Sequence, residues 1–325
     1  MIWLVMELET TCCPLCGKED KEPIWPMHDR LCGLPGSFTL VQCAGCGLLY
    51  LSPRPVPAHI HLYYPENYES FIRQQTDHLS LWQRYSLRYG LWKRCHLVLR
   101  YKRSGWLLDL GCGTGQFLAE MKRYPGWELI GVEPNTKAAE FASQILGLNV
   151  YSGDLFSAHF PDHYFDVVTM WDVLEHLYEP VSVLQEISRV LKPDGVLILR
   201  TPSLDSWDAR VFGRYWAGLD SPRHLAVYSR RTLEKLLTHI GFIVREFKTG
   251  SGSYFVCLLS LRFLLEEIAP IPWLRGLLMA LIRNPLVRLM LAVPLFIADH
   301  WGLGSEMLVV AQSGGGLARR EDVIQ

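Results

Sequence analysis

The 325-residue chain carries 32 Lys and Arg against 33 Asp and Glu, a formal net charge of −1, with 49% hydrophobic and 20% charged residues. Such a composition excludes a disordered chain and gives no electrostatic footprint of a nucleic-acid binder. Nine cysteines and no secretory leader place the chain in a reducing cytoplasm.

The first unit predicted is a metal-stapled segment over 12–54. It holds Cys13-Pro-Leu-Cys16-Gly and Cys43-Ala-Gly-Cys46-Gly, with 26 residues between Cys16 and Cys43. Two thiolates per turn and a glycine that allows the turn to close are what a tetrahedral Zn(II) site requires, so Cys13, Cys16, Cys43 and Cys46 are the expected ligands. A closed site of four thiolates has no open position, so its metal would be structural. A redox dithiol or a disulfide pair stays open as an alternative, as does a slip that puts Cys12 in place of Cys13. His28 reads as a surface residue.

A helical linker or cap is expected over 55–104. Pro53, Pro55 and Pro57 stiffen its start, and Asp77 to Tyr101 reads as helix. Trp82, Tyr85, Tyr89 and Trp92 recur at spacings of three and four, a single face predicted to pack on a sheet.

An α/β domain is expected over 105–312. The apolar run Trp106-Leu107-Leu108 reads as a buried parallel strand that ends in Asp109, and Gly111, Gly113 and Gly115 follow as a turn. Gln116 to Lys122 then shows helical spacing. Strand, glycine turn and helix make a nucleotide site at the carboxyl edge of an open sheet. A dinucleotide fingerprint would have its third glycine where Gln116 stands, and Asp109 would repel a pyrophosphate. The same carboxylate suits a ligand with an ammonium group.

A second strand, Glu128 to Glu133, ends in an acid 18 residues after Gly115, near the ~20-residue spacing at which a carboxylate meets ribose hydroxyls. A helix over Thr136 to Leu146 and a short strand at Asn149 lead to Asp154-Leu-Phe156. A fourth strand, from Phe165, ends in Trp171-Asp172 and runs into Glu175-His176; a fifth follows Leu191-Lys-Pro-Asp-Gly. The loop Trp216-Ala-Gly-Leu-Asp-Ser-Pro-Arg-His224 falls on the ligand-binding rim. Ser229 caps a helix to Ile240, Gly241 ends it, and Phe242 to Lys248 and Ser305 to Gln312 are strands. Between these last two lies an insertion, 253–304, crowded with Leu, Ile, Met and Phe and broken by Pro270, Pro272, Pro285 and Pro294. Its longest uncharged run is ten residues, Leu289 to Ala298, too short to span a bilayer. Apolar helices with scattered arginines suit a peripheral contact with the inner face of the membrane. An apolar lid or a homodimer interface is the alternative. Residues 313–325 read as a disordered tail.

Asp109-Leu-Gly-Cys-Gly-Thr-Gly resembles motif I of the class I S-adenosylmethionine-dependent methyltransferases, of the type 11, 12 and 23 groups, and the segments through Pro202 follow in that family's order. The resemblance implies a Rossmann-like seven-stranded methyltransferase sheet, here with a small N-terminal zinc ribbon and an apolar helical insertion before the last strand. It implies S-adenosylmethionine as cofactor beside structural Zn(II). Asp109, Gly111, Cys112, Gly113 and Gly115 would hold the methionine end, Glu133 the ribose, Asp154 and Phe156 the adenine, and Trp171 and Asp172 the floor near the methyl group. His224, His176 and Glu175 are the candidate general bases. The expected acceptor is a small molecule, O-methylated on a sugar, quinone-like or lipid-linked metabolite. The alternative is a zinc-ribbon RNA or protein methyltransferase, which the charge balance disfavours. A nicotinamide oxidoreductase is opposed by Gln116 and Asp109.

Overall fold

The computed structural model describes residues 7–65, 81–250, 253–268 and 301–314, with isolated positions between 273 and 299. The first four expected residues of the linker helix (77–80), the four prolines of the insertion and residues 315–325 of the expected tail lie outside them.

The N-terminal strands are β1 (Leu8–Glu9), β2 (Lys21–Met27), β3 (Phe38–Cys43), β4 (Leu49–Leu51) and β5 (Arg54–Pro55). β2, β3 and β4 form an antiparallel meander, and β1 pairs with β5. Helix α1 (Leu81–Tyr101) follows, then the sheet strands β6 (Gly105–Leu110), β7 (Trp127–Glu133), β8 (Asn149–Ser152), β9 (Phe165–Trp171) and β10 (Leu191–Pro202). Helices α2 (Gln116–Met121), α3 (Thr136–Gln144) and α4 (Pro180–Val190) connect them. Beyond β10 come α5 (Trp207–Phe212), β11 (Ala226–Val227), α6 (Arg230–Ile240), β12 (Phe242–Gly250), α7 (Ser253–Ile268) and β13 (Glu306–Ser313).

Seven strands form one sheet in the order β8-β7-β6-β9-β10-β13-β12. β6 to β10 pair in parallel, and β13 runs antiparallel between β10 and β12. The central strands are apolar on both faces because helices cover both; Leu107, Leu108, Val167 and Val168 are fully buried. The strand order reverses between β6 and β9, and the carboxyl ends there open the crevice in which such sheets bind ligands. Ser229 caps α6 by accepting the Thr232 N–H while Thr232 accepts the Ser229 N–H, and Gly241 closes it at φ +96°.

The four-stranded sheet β11-β4-β3-β2 joins the N-terminal segment to the α/β domain. β11 comes from the α/β domain and pairs antiparallel with β4. Cys13, Leu15, Val41, Leu48 and Tyr50 belong to the same apolar cluster as Leu108, Phe165, Leu184 and Leu236. On its other side the N-terminal sheet packs Met27, Phe38, Leu40, Leu49 and Leu51 against Ala209, Trp216 and Leu219. The segment 12–54 is therefore buried on two faces.

Three expectations change in detail. The described part of the aromatic face of α1 does not pack on the sheet: Tyr85, Tyr89 and Trp92 are 66%, 51% and 45% exposed, while Cys95 and Val98 are buried; the Trp82 side chain lies outside the described residues. Aromatic spacing and the buried face diverge here because small side chains let α1 sit close to α2. Helix α3 ends at Gln144, short of Leu146. Ser313, expected in the tail, is paired with Phe242 at the end of β13. Among the described residues no helix is long and apolar enough to cross a membrane.

Candidate functional site

The turn after β6 is built by glycines in left-handed conformations: Gly111, Gly113 and Gly115 have φ of +68°, +55° and +77°. A side chain at Gly111 would strike Val173 at 2.6 Å, and one at Gly115 would strike Leu148 at 2.5 Å. The bare backbone of this turn lines the floor of a cleft of about 2520 Å³.

Two carboxylates bracket the turn. Asp109 is 2% exposed, and its Oδ1 accepts a 2.6 Å hydrogen bond from Thr169 Oγ1, the residue opposite it in the β6–β9 register. Burial pushes the Asp109 carboxyl up to about 7, against the pull of the Thr169 hydroxyl and the Arg94 guanidinium. Glu133, at the end of β7, accepts the Gly113 N–H on Oε2 and the Asn135 N–H on Oε1, both at 2.8 Å. It thus ties the glycine turn to the neighbouring strand, and each oxygen keeps a lone pair for a further donor. Cys112 fills the space behind the turn: a side chain on Gly131 of β7 would meet its Sγ at 2.6 Å.

Asp154 and Phe156 stand on the rim after β8, both exposed. Asp154 Oδ1 accepts from the Ser157 N–H and hydroxyl, both at 2.7 Å, which fixes its rotamer and holds its carboxyl below the usual range. Trp171 lies in the cleft wall, edge-on to Phe117 and under the Arg94 guanidinium at 4.9 Å. Its indole N–H is buried without a partner. Asp172 adopts φ +60° and is not directed at the cleft alone; Arg200 grips it through Nε at 2.8 Å and through a second N–H. Burial opposes its ionisation, but the Arg200 guanidinium holds its carboxyl below the usual range.

The other end of the cleft holds Glu175, His176 and His224. Glu175 is 1% exposed; its Oε2 accepts from Thr201 Oγ1 at 2.8 Å, while Oε1 is buried without a partner. Burial, with the Asp172 charge, pushes its carboxyl up to about 8. His176 Nδ1 lies 2.9 Å from the Arg223 carbonyl and 3.0 Å from the Tyr64 hydroxyl, and His224 Nδ1 lies 2.8 Å from the Gly218 carbonyl. A carbonyl can only accept, so each Nδ1 is the protonated nitrogen and each Nε2 carries the lone pair. Burial, then the neighbouring His224, lowers His176 to about 4, so its ring is neutral. The rings meet edge to face at 4.8 Å, and one ligand atom from each of the three residues lies within 4.8 Å of the others.

Asp220 and Arg223, polar residues of the rim loop, do another job. Arg223 is fully buried and uses all five N–H groups: two on Asp220 (2.9 and 2.7 Å), two on Asp29 (3.2 and 2.6 Å) and one on the Tyr63 carbonyl (3.0 Å). Asp29 comes from the N-terminal segment, so this clasp fixes the loop that carries His224 to that segment.

Cys13 and Cys46 place their sulfurs 3.5 Å apart, as do Cys16 and Cys43, and all four lie within 4.8 Å of one another. A tetrahedron of thiolates about 2.3 Å from Zn(II) has edges near 3.8 Å, so the set fits that ion. The two turns are matched: Gly17 N–H donates to the Cys13 carbonyl and Gly47 N–H to the Cys43 carbonyl, at φ +72° and +82°. Cys12 is exposed and outside the set, and His28 is exposed.

Sequence reading missed Thr169, Arg94, Arg200, Tyr64 and Asp29. Thr169 had a signal, since it is a polar residue in the middle of an otherwise apolar strand. The others are identified only by what they face.

A family model described as a methyltransferase domain matches residues 70–246. The chain is 33% identical over 121 residues to an uncharacterised methyltransferase of Schizosaccharomyces pombe, covering 33% of this chain and 44% of the relative. It is 38% identical over 105 residues to a ubiquinone biosynthesis O-methyltransferase of Haemophilus ducreyi, covering 29% and 44%. It is 33% identical over 197 residues to a demethylmenaquinone methyltransferase of Lactobacillus johnsonii, covering 51% and 81%. The chain thus spans less than half the length of the first two relatives.

Proposed function

The chain belongs to the methyltransferase-domain family, and we propose that it moves the methyl group of S-adenosylmethionine to a hydroxyl oxygen of a small-molecule acceptor. The observation that carries this reading is one cleft with the glycine turn and its two carboxylates at one end and two imidazoles at the other. In this reading Asp109 attracts the α-ammonium group of the cofactor. Gly111, Cys112, Gly113 and Gly115 give its methionine end a bare backbone to lie on. Glu133 accepts from the ribose hydroxyls on its remaining lone pairs, and Asp154 with Phe156 borders the adenine. Trp171 and Asp172 form the floor, leaving the acceptor beside His176 and His224. The acceptor oxygen attacks the methyl carbon in line with the departing sulfur, and the C–S electron pair stays on S-adenosylhomocysteine. Most of the catalysis comes from holding the two partners in line. The acceptor's proton is within the scope of the Nε2 lone pairs of His224 and His176, with buried Glu175 as the third candidate base beside them.

Asp109 makes the reading testable by pH. A carboxyl that titrates near 7 is neutral below that value and loses its attraction for an ammonium group. S-Adenosylhomocysteine should therefore bind about tenfold more tightly at pH 8 than at pH 6, with proton release on binding. Calorimetry in two buffers of different ionisation enthalpy measures both. A flat profile would remove Asp109 from the cofactor site.

Cys13, Cys16, Cys43 and Cys46 are read as a structural Zn(II) site. Metal analysis should find one zinc per chain bound through this set. Stripping it, or changing Cys13→Ser, should lower the unfolding midpoint of the whole chain, because the cysteines share a core with the catalytic sheet. An unchanged midpoint after zinc removal would leave the thiolates without a structural task.

A quinone-like or lipid-linked acceptor is the favoured class, because the described part of the insertion leaves Trp273, Leu277, Met290 and Trp301 between 60% and 77% exposed. Such side chains suit a membrane interface. The protein should then float with anionic liposomes. If Trp273→Ser with Trp301→Ser floats as well as the wild type, these residues are not the contact and soluble hydroxylated metabolites move to the front.

A further inference from the structure

We infer that Glu175, His176 and His224 bind a divalent metal ion of their own, separate from the cysteine site, and that it receives the acceptor oxygen. The inference rests on the reading of this end of the cleft as the acceptor site and goes beyond it.

The geometry argues from three sides. Both Nδ1 atoms face backbone carbonyls, Arg223 for His176 and Gly218 for His224, and the Tyr64 hydroxyl lies 3.0 Å from the His176 Nδ1 as well. This is the support that metal-binding imidazoles usually have, since it sets the tautomer and leaves Nε2 as the ligand. Glu175 Oε1 is a buried acceptor with no donor, although its other oxygen is held by Thr201. One ring nitrogen from each histidine and one carboxylate oxygen lie within 4.8 Å of one another. A buried carboxylate oxygen without a donor, set beside two imidazoles, requires a cation or a proton near it. The nearby guanidinium groups do not supply it. Arg223 spends every N–H on Asp29, Asp220 and Tyr63, and Arg200 faces Asp172 and Glu306.

Two imidazoles and one carboxylate form a set suited to Mn(II), Fe(II), Co(II) or Zn(II), and three protein ligands leave positions for an exogenous oxygen. Those positions face the cleft. An acceptor hydroxyl bound there loses its proton more readily, as water does on such ions. The step balances without a redox change: the O–H proton passes to water in the cleft, the oxygen forms the new bond to the methyl carbon, and the C–S pair returns to sulfur. With the cation present, the imidazoles act as ligands and the proton goes to solvent.

The test takes protein that holds a single equivalent of zinc, the amount the four thiolates bind, and titrates it with Mn(II), followed by the loss of the free-ion magnetic resonance signal, and separately with Co(II), followed by its visible spectrum. The four thiolates disfavour Mn(II) and, once zinc-filled, contribute no thiolate-to-cobalt charge-transfer band. The wild type should take up one ion per chain at this site, and Glu175→Gln and His224→Gln should each lose it. Calorimetry with S-adenosylhomocysteine on the same samples separates the two readings. If the wild type and both variants bind S-adenosylhomocysteine but the wild type takes up neither Mn(II) nor Co(II), the metal site is overturned and the cofactor site stands. Uptake equal in wild type and both variants overturns it too. Failure of wild-type S-adenosylhomocysteine binding overturns the cofactor site, whatever the metals do.

Discussion

Arg223→Ala is expected to cost about 3–5 kcal/mol of unfolding free energy, the loss that follows when one member of a buried ion pair is removed. The expectation rests on desolvation. Asp29 and Arg223 have fully buried side chains, and Asp220 is 11% exposed. Removing the guanidinium takes five hydrogen bonds at once and leaves two carboxylates facing an apolar surround. Asp29 keeps the Leu31, Cys32 and Leu34 N–H groups, which offset part of the loss. For Asp220, burial opposes ionisation, and the Arg223 hydrogen bonds hold its carboxyl below the usual range. Arg223→Lys should recover only part of the stability, because one ammonium group cannot fork to two carboxylates. Urea unfolding of the three proteins measures the effect. A loss below about 1 kcal/mol, the range of exposed pairs, would mean that water reaches the clasp and that it does not anchor the N-terminal segment.

Gly115→Val should abolish detectable S-adenosylhomocysteine binding while the fold survives. Valine is a poor fit on two counts. Its backbone would sit at φ +77°, a left-handed conformation that β-branched residues rarely adopt. Its Cβ would also lie 2.5 Å from Leu148 Cδ1 and 3.0 Å from Ala142 Cβ. Strain of this kind costs about 1–3 kcal/mol and overpacking a similar amount. The turn relieves both by moving, and the N–H of Gly113 moves with it away from Glu133. A distortion of about 3 kcal/mol at the binding surface is worth about a hundredfold in affinity. Gly147→Ala, at an exposed position with the same left-handed backbone (φ +60°) but nothing within 4 Å of an added Cβ, serves as the control for backbone strain away from the cleft and should bind normally. Normal binding by a folded Gly115→Val would place the ligand elsewhere in the cleft.

The residues that could be read before the structure are those whose role depends on near neighbours in the chain. Asp109 and the three glycines announce a strand end and a tight turn within seven residues, and 18 more reach Glu133. Two Cys-x-x-Cys-Gly turns declare their metal chemistry without reference to anything outside them. Ser229, Thr232 and Gly241 mark both ends of α6 for the same reason. Local spacing sets backbone geometry, and backbone geometry selects residue types.

Tertiary structure decided the rest. Glu175 and His176 could be suspected alone, but only the return of the chain through β11 brings His224 against them. Arg223 carries no local sign that its partner is Asp29, 194 residues away. The aromatic stripe of α1 misled because hydrophobic spacing states which side chains share a face, not which face is covered. A buried charge or an unpartnered lone pair is defined by its surroundings. Those surroundings come from segments far apart in the chain, and spacing along it does not encode them.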